Sequence, residues 1–72
     1  MSDKEKIIIN VNGDNIAVEP GTTLSDLVHL LKLDTSQMAV ELNQIIIPRS
    51  LYGEHVLKAG DSVEIVEFVG GG

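Results

Sequence analysis

The chain has no cysteine among its 72 residues. A disulfide scaffold, a thiolate zinc site and a cysteine nucleophile are all excluded, and a reducing compartment, the cytoplasm, is the expected location. Aromatic residues are almost as scarce. Tyr52 and Phe68 are the whole set, so any core must be built from branched aliphatics. Long apolar runs are missing too. Ile7-Ile8-Ile9 follows a polar N-terminus and is too short for a signal peptide, while a membrane helix needs ~20 apolar residues. Basic residues are few: five Lys and Arg stand against eleven Asp and Glu, a net charge of −6. Phosphate backbones are bound chiefly by Lys and Arg, so nucleic acid is not an expected partner. Two readings of the acidity stay open. It can steer a protein partner with a basic surface, or it can serve solubility alone.

What is present describes one small domain, residues 1–72. The apolar fraction of 43% favours a folded chain over disorder. A domain of this size buries only about 60% of the surface its unfolded chain exposes, so its core is thin. Ile7 to Val11 reads as a strand, and Asn12-Gly13 before Ile16-Ala17-Val18 is a hairpin signal, because both turn residues tolerate positive φ. Pro20-Gly21 turns the chain. Thr23 and Asp26 have the spacing of a capping box, and Leu24, Leu27, Val28 and Leu31 form one apolar stripe on a helix of about two turns. His29 lies off that stripe and reads as a solvated residue. Met38, Val40 and Leu42 alternate with Ala39 and Glu41 as a half-buried strand does. Asn43-Gln44 turns the chain into Ile45-Ile46-Ile47, which Pro48 limits. Residues 49–58 read as irregular with one short helical turn. Ala59-Gly60-Asp61 is a turn, and 62–69 is the last strand. The order β-β-α-β-β-β predicts an α+β fold, a mixed sheet of four to five strands packed on one main helix, with a right-handed crossover where strands run parallel.

Sites for chemistry are sparse. No Gly-rich loop precedes a Lys-Ser or Lys-Thr, His29 and His55 lack metal-ligand spacing, and no serine has nucleophile-elbow context. A chain this short has little material for a closed pocket. The reading is of a protein co-substrate, with no catalytic residue and no metal, rather than an enzyme.

The unusual feature is the end, Phe68-Val69-Gly70-Gly71-Gly72. It can be a truncated flexible linker or an artificial extension. It also has a chemical reading. A terminal carboxylate is ionised at neutral pH and can attack the α-phosphate of ATP. The resulting acyl-adenylate is open to a sulfur nucleophile, which displaces AMP and leaves a thiocarboxylate. Gly70 and Gly71 suit a tail that threads a narrow channel, since neither has a Cβ, and Gly72 would carry the reacting group. Extended, residues 69–72 reach roughly 13–14 Å. Ordering such residues costs about 1–2 kcal/mol each, so 70–72 are expected to form a flexible tail and 1–5 to be frayed.

At this point the chain resembles a known family. Asn43-Gln44-Ile45-Ile46-Ile47-Pro48-Arg49, His55-Val56-Leu57, Gly60-Asp61, Ile65-Val66 and the Phe68-to-Gly72 end are similar to the ThiS family, the sulfur carriers of thiamine biosynthesis. The likeness covers nearly the whole chain and is most specific over 40–72. The Gly-Gly end alone is shared with the molybdopterin synthase small subunit and with ubiquitin-like modifiers. The resemblance implies a ubiquitin-like β-grasp fold with first and last strands adjacent and parallel. It implies activation by an E1-like (ThiF-like) adenylyltransferase using ATP and magnesium, a sulfur donor enzyme, and sulfur transfer to a ThiG-like thiazole synthase. It maps the reactive Gly-Gly onto Gly71 and Gly72.

Alternation along the last strand puts Val63 and Ile65 on one face and Glu64, Val66 and Phe68 on the other. If the helix covers Val63, then Val66 and Phe68 are a docking surface beside the tail, unless a loop or the N-terminal segment covers them. Arg49 reads either as an exposed charge at a strand end or as a contact for a partner's acid. A non-covalent β-grasp interaction domain with an inert tail is the alternative from another class.

Overall fold

The computed structural model describes residues 5–68 of the chain. Five strands are present: β1 Ile7–Val11, β2 Asp14–Val18, β3 Met38–Leu42, β4 Ile45–Ile47 and β5 Ser62–Glu67. One α-helix, α1 Leu24–Leu30, crosses between β2 and β3. Two 3-10 segments, Thr35–Gln37 and Arg49–Glu54, complete the order. None of the described helices is long and apolar enough to cross a membrane.

Both hairpins turn on pairs of left-handed residues. Asn12 and Gly13 have φ of 51° and 92°, and Asn43 and Gln44 have 52° and 72°. Positive φ at both central positions gives the turn twist that matches the strands. The tight loop lets pairing begin at once, with Val11 opposite Asp14. Strand β2 therefore starts two residues before Ile16, where the apolar pattern alone had placed it. At the other end β5 stops at Glu67, short of the expected 69, because its partner β3 begins opposite at Met38.

Helix α1 opens as the spacing predicts. The Thr23 hydroxyl accepts the Asp26 N–H and the Asp26 carboxylate accepts the Thr23 N–H, both at 3.0 Å. Leu24, Leu27 and Val28 are buried and Leu31 is half-buried. Segment 49–58 is tied back to the helix start, where Leu24 N–H donates to His55 C=O and Leu57 N–H donates to Thr22 C=O.

The sheet order is β2-β1-β5-β3-β4. Strands β1 and β5 are neighbours and parallel, and the other pairs are antiparallel. Ile9, Val11, Val18, Val40, Ile47 and Val63 line the face that meets Leu24, Leu27 and Val28, with Tyr52 and Leu57 closing the core. No polar or charged side chain is buried among the described residues.

Candidate functional site

The site is built around the end of β5, because that strand delivers the chain to its terminus. Two asparagines hold it. Asn12 N–H donates to Val63 C=O at 2.9 Å, and its side chain then bonds Ile65 twice, accepting the N–H at 2.7 Å and donating to the C=O at 3.3 Å. At the strand's other end the Asn43 side chain accepts the Ser62 N–H at 2.9 Å and donates to the Asp61 carboxylate. That carboxylate also accepts the Lys58 N–H at 2.8 Å. The last described anchor is Phe68 N–H, which donates to Gln37 C=O at 2.8 Å. In the sequence Asn12 and Asn43 read as turn formers, and neither clamp is visible there. Spacings of 53 and 19 residues to their partners leave no local signal.

Val63 is completely buried against the helix side, so alternation turns Val66 and Phe68 to the opposite face, 51% and 58% exposed. The same face carries Ala39, directly across from Val66, and Ile46, which is 65% exposed. Glu41 lies between Ile46 on one side and Glu64 on the other. Two carboxylates directly opposite repel, so this face combines an apolar patch with concentrated negative charge. The expected docking face is therefore open beside the root of the tail.

Arg49 is not on it. It starts the second 3-10 segment and lines a cleft with Ser25, Val28 and His29 of α1, on the helix side of the sheet. Its charge holds the Tyr52 phenol down while burial, the larger influence, pushes it up. The structure thus separates Arg49 from Val66 and Phe68. His29 is exposed, as expected. Gly70, Gly71 and Gly72, with the expected tail, lie outside the described residues, as do 1–4 of the expected frayed segment.

One helix packed on a five-stranded mixed sheet, its first and last strands parallel at the centre, is the ubiquitin-like β-grasp arrangement. A ubiquitin-like β-grasp domain is the class that this fold defines. The ThiS family model matches residues 8–72, and the chain belongs to that family, the sulfur carriers of thiamine biosynthesis. It is 36% identical over 66 residues to the sulfur carrier protein ThiS of Bacillus subtilis, covering 90% of this chain and 100% of that one. It is 41% identical over 64 residues to a thiazole synthase of Magnetococcus marinus, covering 89% of this chain but 20% of that protein. The chain spans about a fifth of the length of the two thiazole synthases it matches. The solved structure of the thiamine biosynthesis protein ThiS from Geobacter metallireducens superposes with a TM-score of 0.77 at 30% identity, covering 92% of this chain and 100% of that one.

Proposed function

We propose that the chain carries sulfur as a thiocarboxylate on Gly72. The observation that carries this reading is the family match, which runs from residue 8 through the glycines to Gly72. In the proposed cycle an E1-like adenylyltransferase supplies ATP and magnesium. The Gly72 carboxylate attacks the α-phosphate and pyrophosphate leaves. Hydrosulfide, delivered by a sulfur donor enzyme, then attacks the acyl carbon and AMP leaves. The loaded chain next gives its sulfur to thiazole synthase. That partner is supported by the relatives in which a segment similar to this chain makes up about a fifth of a thiazole synthase.

The chain's own contribution is presentation. Clamps from Asn12 and Asn43 fix β5, and the open Val66–Phe68 face gives both enzymes something to hold while the glycines reach the reacting centre. The carboxylates of Glu41 and Glu64 beside it suit a partner with a basic surface, whose cation would relieve their repulsion. Nothing in this role calls for a metal or an acid–base pair on the chain itself, and the cytoplasm is the compartment it suits.

The test is an intact-mass measurement after incubation with the adenylyltransferase, ATP, magnesium and a sulfide source. Replacement of one oxygen by sulfur at the C-terminus is expected. An unchanged mass, with the enzyme active on another carrier, would refute the reading. Supplying thiazole synthase or molybdopterin synthase to the loaded protein then separates the two pathways.

A further inference from the structure

We propose that the cleft between α1 and the 3-10 segment Arg49–Glu54 is a second docking site, which takes an acidic segment of a protein partner on Lys32 and Arg49.

Charge distribution is the first argument. The chain has five Lys and Arg against eleven Asp and Glu. Two of those five, Lys32 and Arg49, line this one cleft together with His29, and among the described residues Asp34 is the one acidic residue in its lining. An acidic segment is repelled by the molecule's overall field and attracted here, so the cleft sets orientation as well as contact.

Backbone strain is the second. Leu33 N–H donates to Val28 C=O and Lys32 N–H donates to His29 C=O, each at 3.0 Å. This is the helix ending in which glycine usually occupies the left-handed position. Lys32 occupies it instead, at φ 58°. Glycine would relieve that strain, so presenting the Lys32 side chain to the cleft costs the turn some stability. Observed strain of this kind points to function rather than stability.

Shape chooses the occupant. The cleft is open along one side and has a volume of about 650 Å3, more than a single oxyanion fills. Its cations come from two separate elements, and Val28, Leu33 and Tyr52 form apolar wall between them. Successive acidic side chains of a peptide can meet Lys32 and Arg49 in turn, with their methylenes on that wall. Arg49 offers the planar fork that fits a carboxylate. Thr35 lines the cleft, while Gln37 in the same 3-10 turn holds Phe68.

The proposal does not rest on sulfur transfer, and its test uses no sulfur chemistry. The 15N-labelled full chain is titrated with the peptide acetyl-Glu-Asp-Glu-Asp-amide, and separately with inorganic phosphate at matched ionic strength. Saturable shifts are expected at the His29, Lys32, Leu33, Arg49 and Ser50 amides with the peptide. Arg49→Gln and Lys32→Gly should each weaken binding about threefold or more, and the pair about tenfold. Lys32→Gly is the decisive variant, because its melting temperature should hold or rise by a few degrees. Weaker binding in a protein at least as stable cannot be misfolding. Unmoved cleft amides, undiminished binding by both variants, or phosphate binding as tightly as the peptide would each overturn the proposal.

Discussion

The side chain of Asn12 hydrogen-bonds both the N–H and the C=O of Ile65, at 2.7 and 3.3 Å. An amide side chain here does the work of a strand residue. The register of β1 with β5 ends at Val11 and Val63, the Asn12 N–H makes the last backbone bond, to Val63 C=O, and the Asn12 side chain carries the pairing on to Ile65. The grip lies three positions before Phe68, so it steadies the part of β5 nearest the glycines. Asn12→Gly keeps the turn, since glycine accepts the φ of 51°, and removes only the clamp. It should cost about 1–2 kcal/mol, read from denaturant melts, and should speed hydrogen exchange at Ile65. An Ile65 amide as protected as in the parent would contradict the role given to Asn12.

Much of this architecture is legible in the residues. Asn12-Gly13, the Thr23–Asp26 box and the alternation of β3 and β5 are local signals, and each agrees with what surrounds it. Strand β2 reads short because Asp14 and Asn15 are polar and join the ladder opposite Val11 and Asn10, outside the apolar pattern. What stayed hidden depends on residues far apart. The two asparagine clamps and the cleft joining α1 to Arg49 arise from tertiary placement, which no spacing encodes. Parallel pairing of the first and last strands came from family likeness and not from periodicity.

The tail can be tested apart from the fold. Every core residue identified lies between Ile9 and Val63, so Gly71→Val is expected to shift stability by less than about 0.5 kcal/mol. In the proposed cycle adenylation should fall steeply, because the added Cβ and methyls would have to enter the channel that the glycines are proposed to thread. ATP–pyrophosphate exchange and a thermal melt on one preparation read both halves. Exchange at the parental rate would remove the threading argument.

The open face makes a separate claim. Val66 and Phe68 are more than half exposed, so replacing both with serine should cost the fold about 1 kcal/mol or less. If this face docks the adenylating enzyme and thiazole synthase, binding to each should weaken at least about tenfold, as at interface hot spots. Calorimetric titration against the two enzymes decides it. Unchanged affinity for both would leave the patch without a role.

The thin core sets how much change the chain tolerates. Leu27 is fully buried between sheet and helix, and Leu27→Ala should cost about 2–5 kcal/mol. A domain of this length has roughly 4–11 kcal/mol in total, at 0.05–0.15 per residue. The variant should therefore be marginal at room temperature and lose carrier function through unfolding alone. A urea midpoint within a few tenths molar of the parent would show that the core is less interdependent than the packing implies.

Asp34 joins electrostatics to both the fold and the cleft. Its carboxylate accepts the Ser36 hydroxyl at 2.6 Å and the Ser36 N–H at 3.1 Å, which caps the Thr35–Gln37 turn. Those bonds hold its pKa below the ordinary 3.8 against the opposing effect of desolvation, and Arg49 lowers it by a still smaller amount. A carboxyl depressed in the folded state lends stability above the unfolded pKa and loses it as pH falls through the folded one. The Ser36 amide should therefore titrate with a midpoint below 3.8. In Asp34→Asn that titration should vanish while the turn persists, because asparagine caps about as well as aspartate. The same variant removes the negative charge that lines the cleft with Lys32 and Arg49. At neutral pH it should bind the acidic peptide a few-fold more tightly than the parent, the opposite of what Arg49→Gln does. A midpoint at or above the ordinary value would overturn the account of the turn. Weaker peptide binding by Asp34→Asn would overturn the account of the cleft, since no attraction between cations and an acidic segment is reduced by taking away a competing carboxylate.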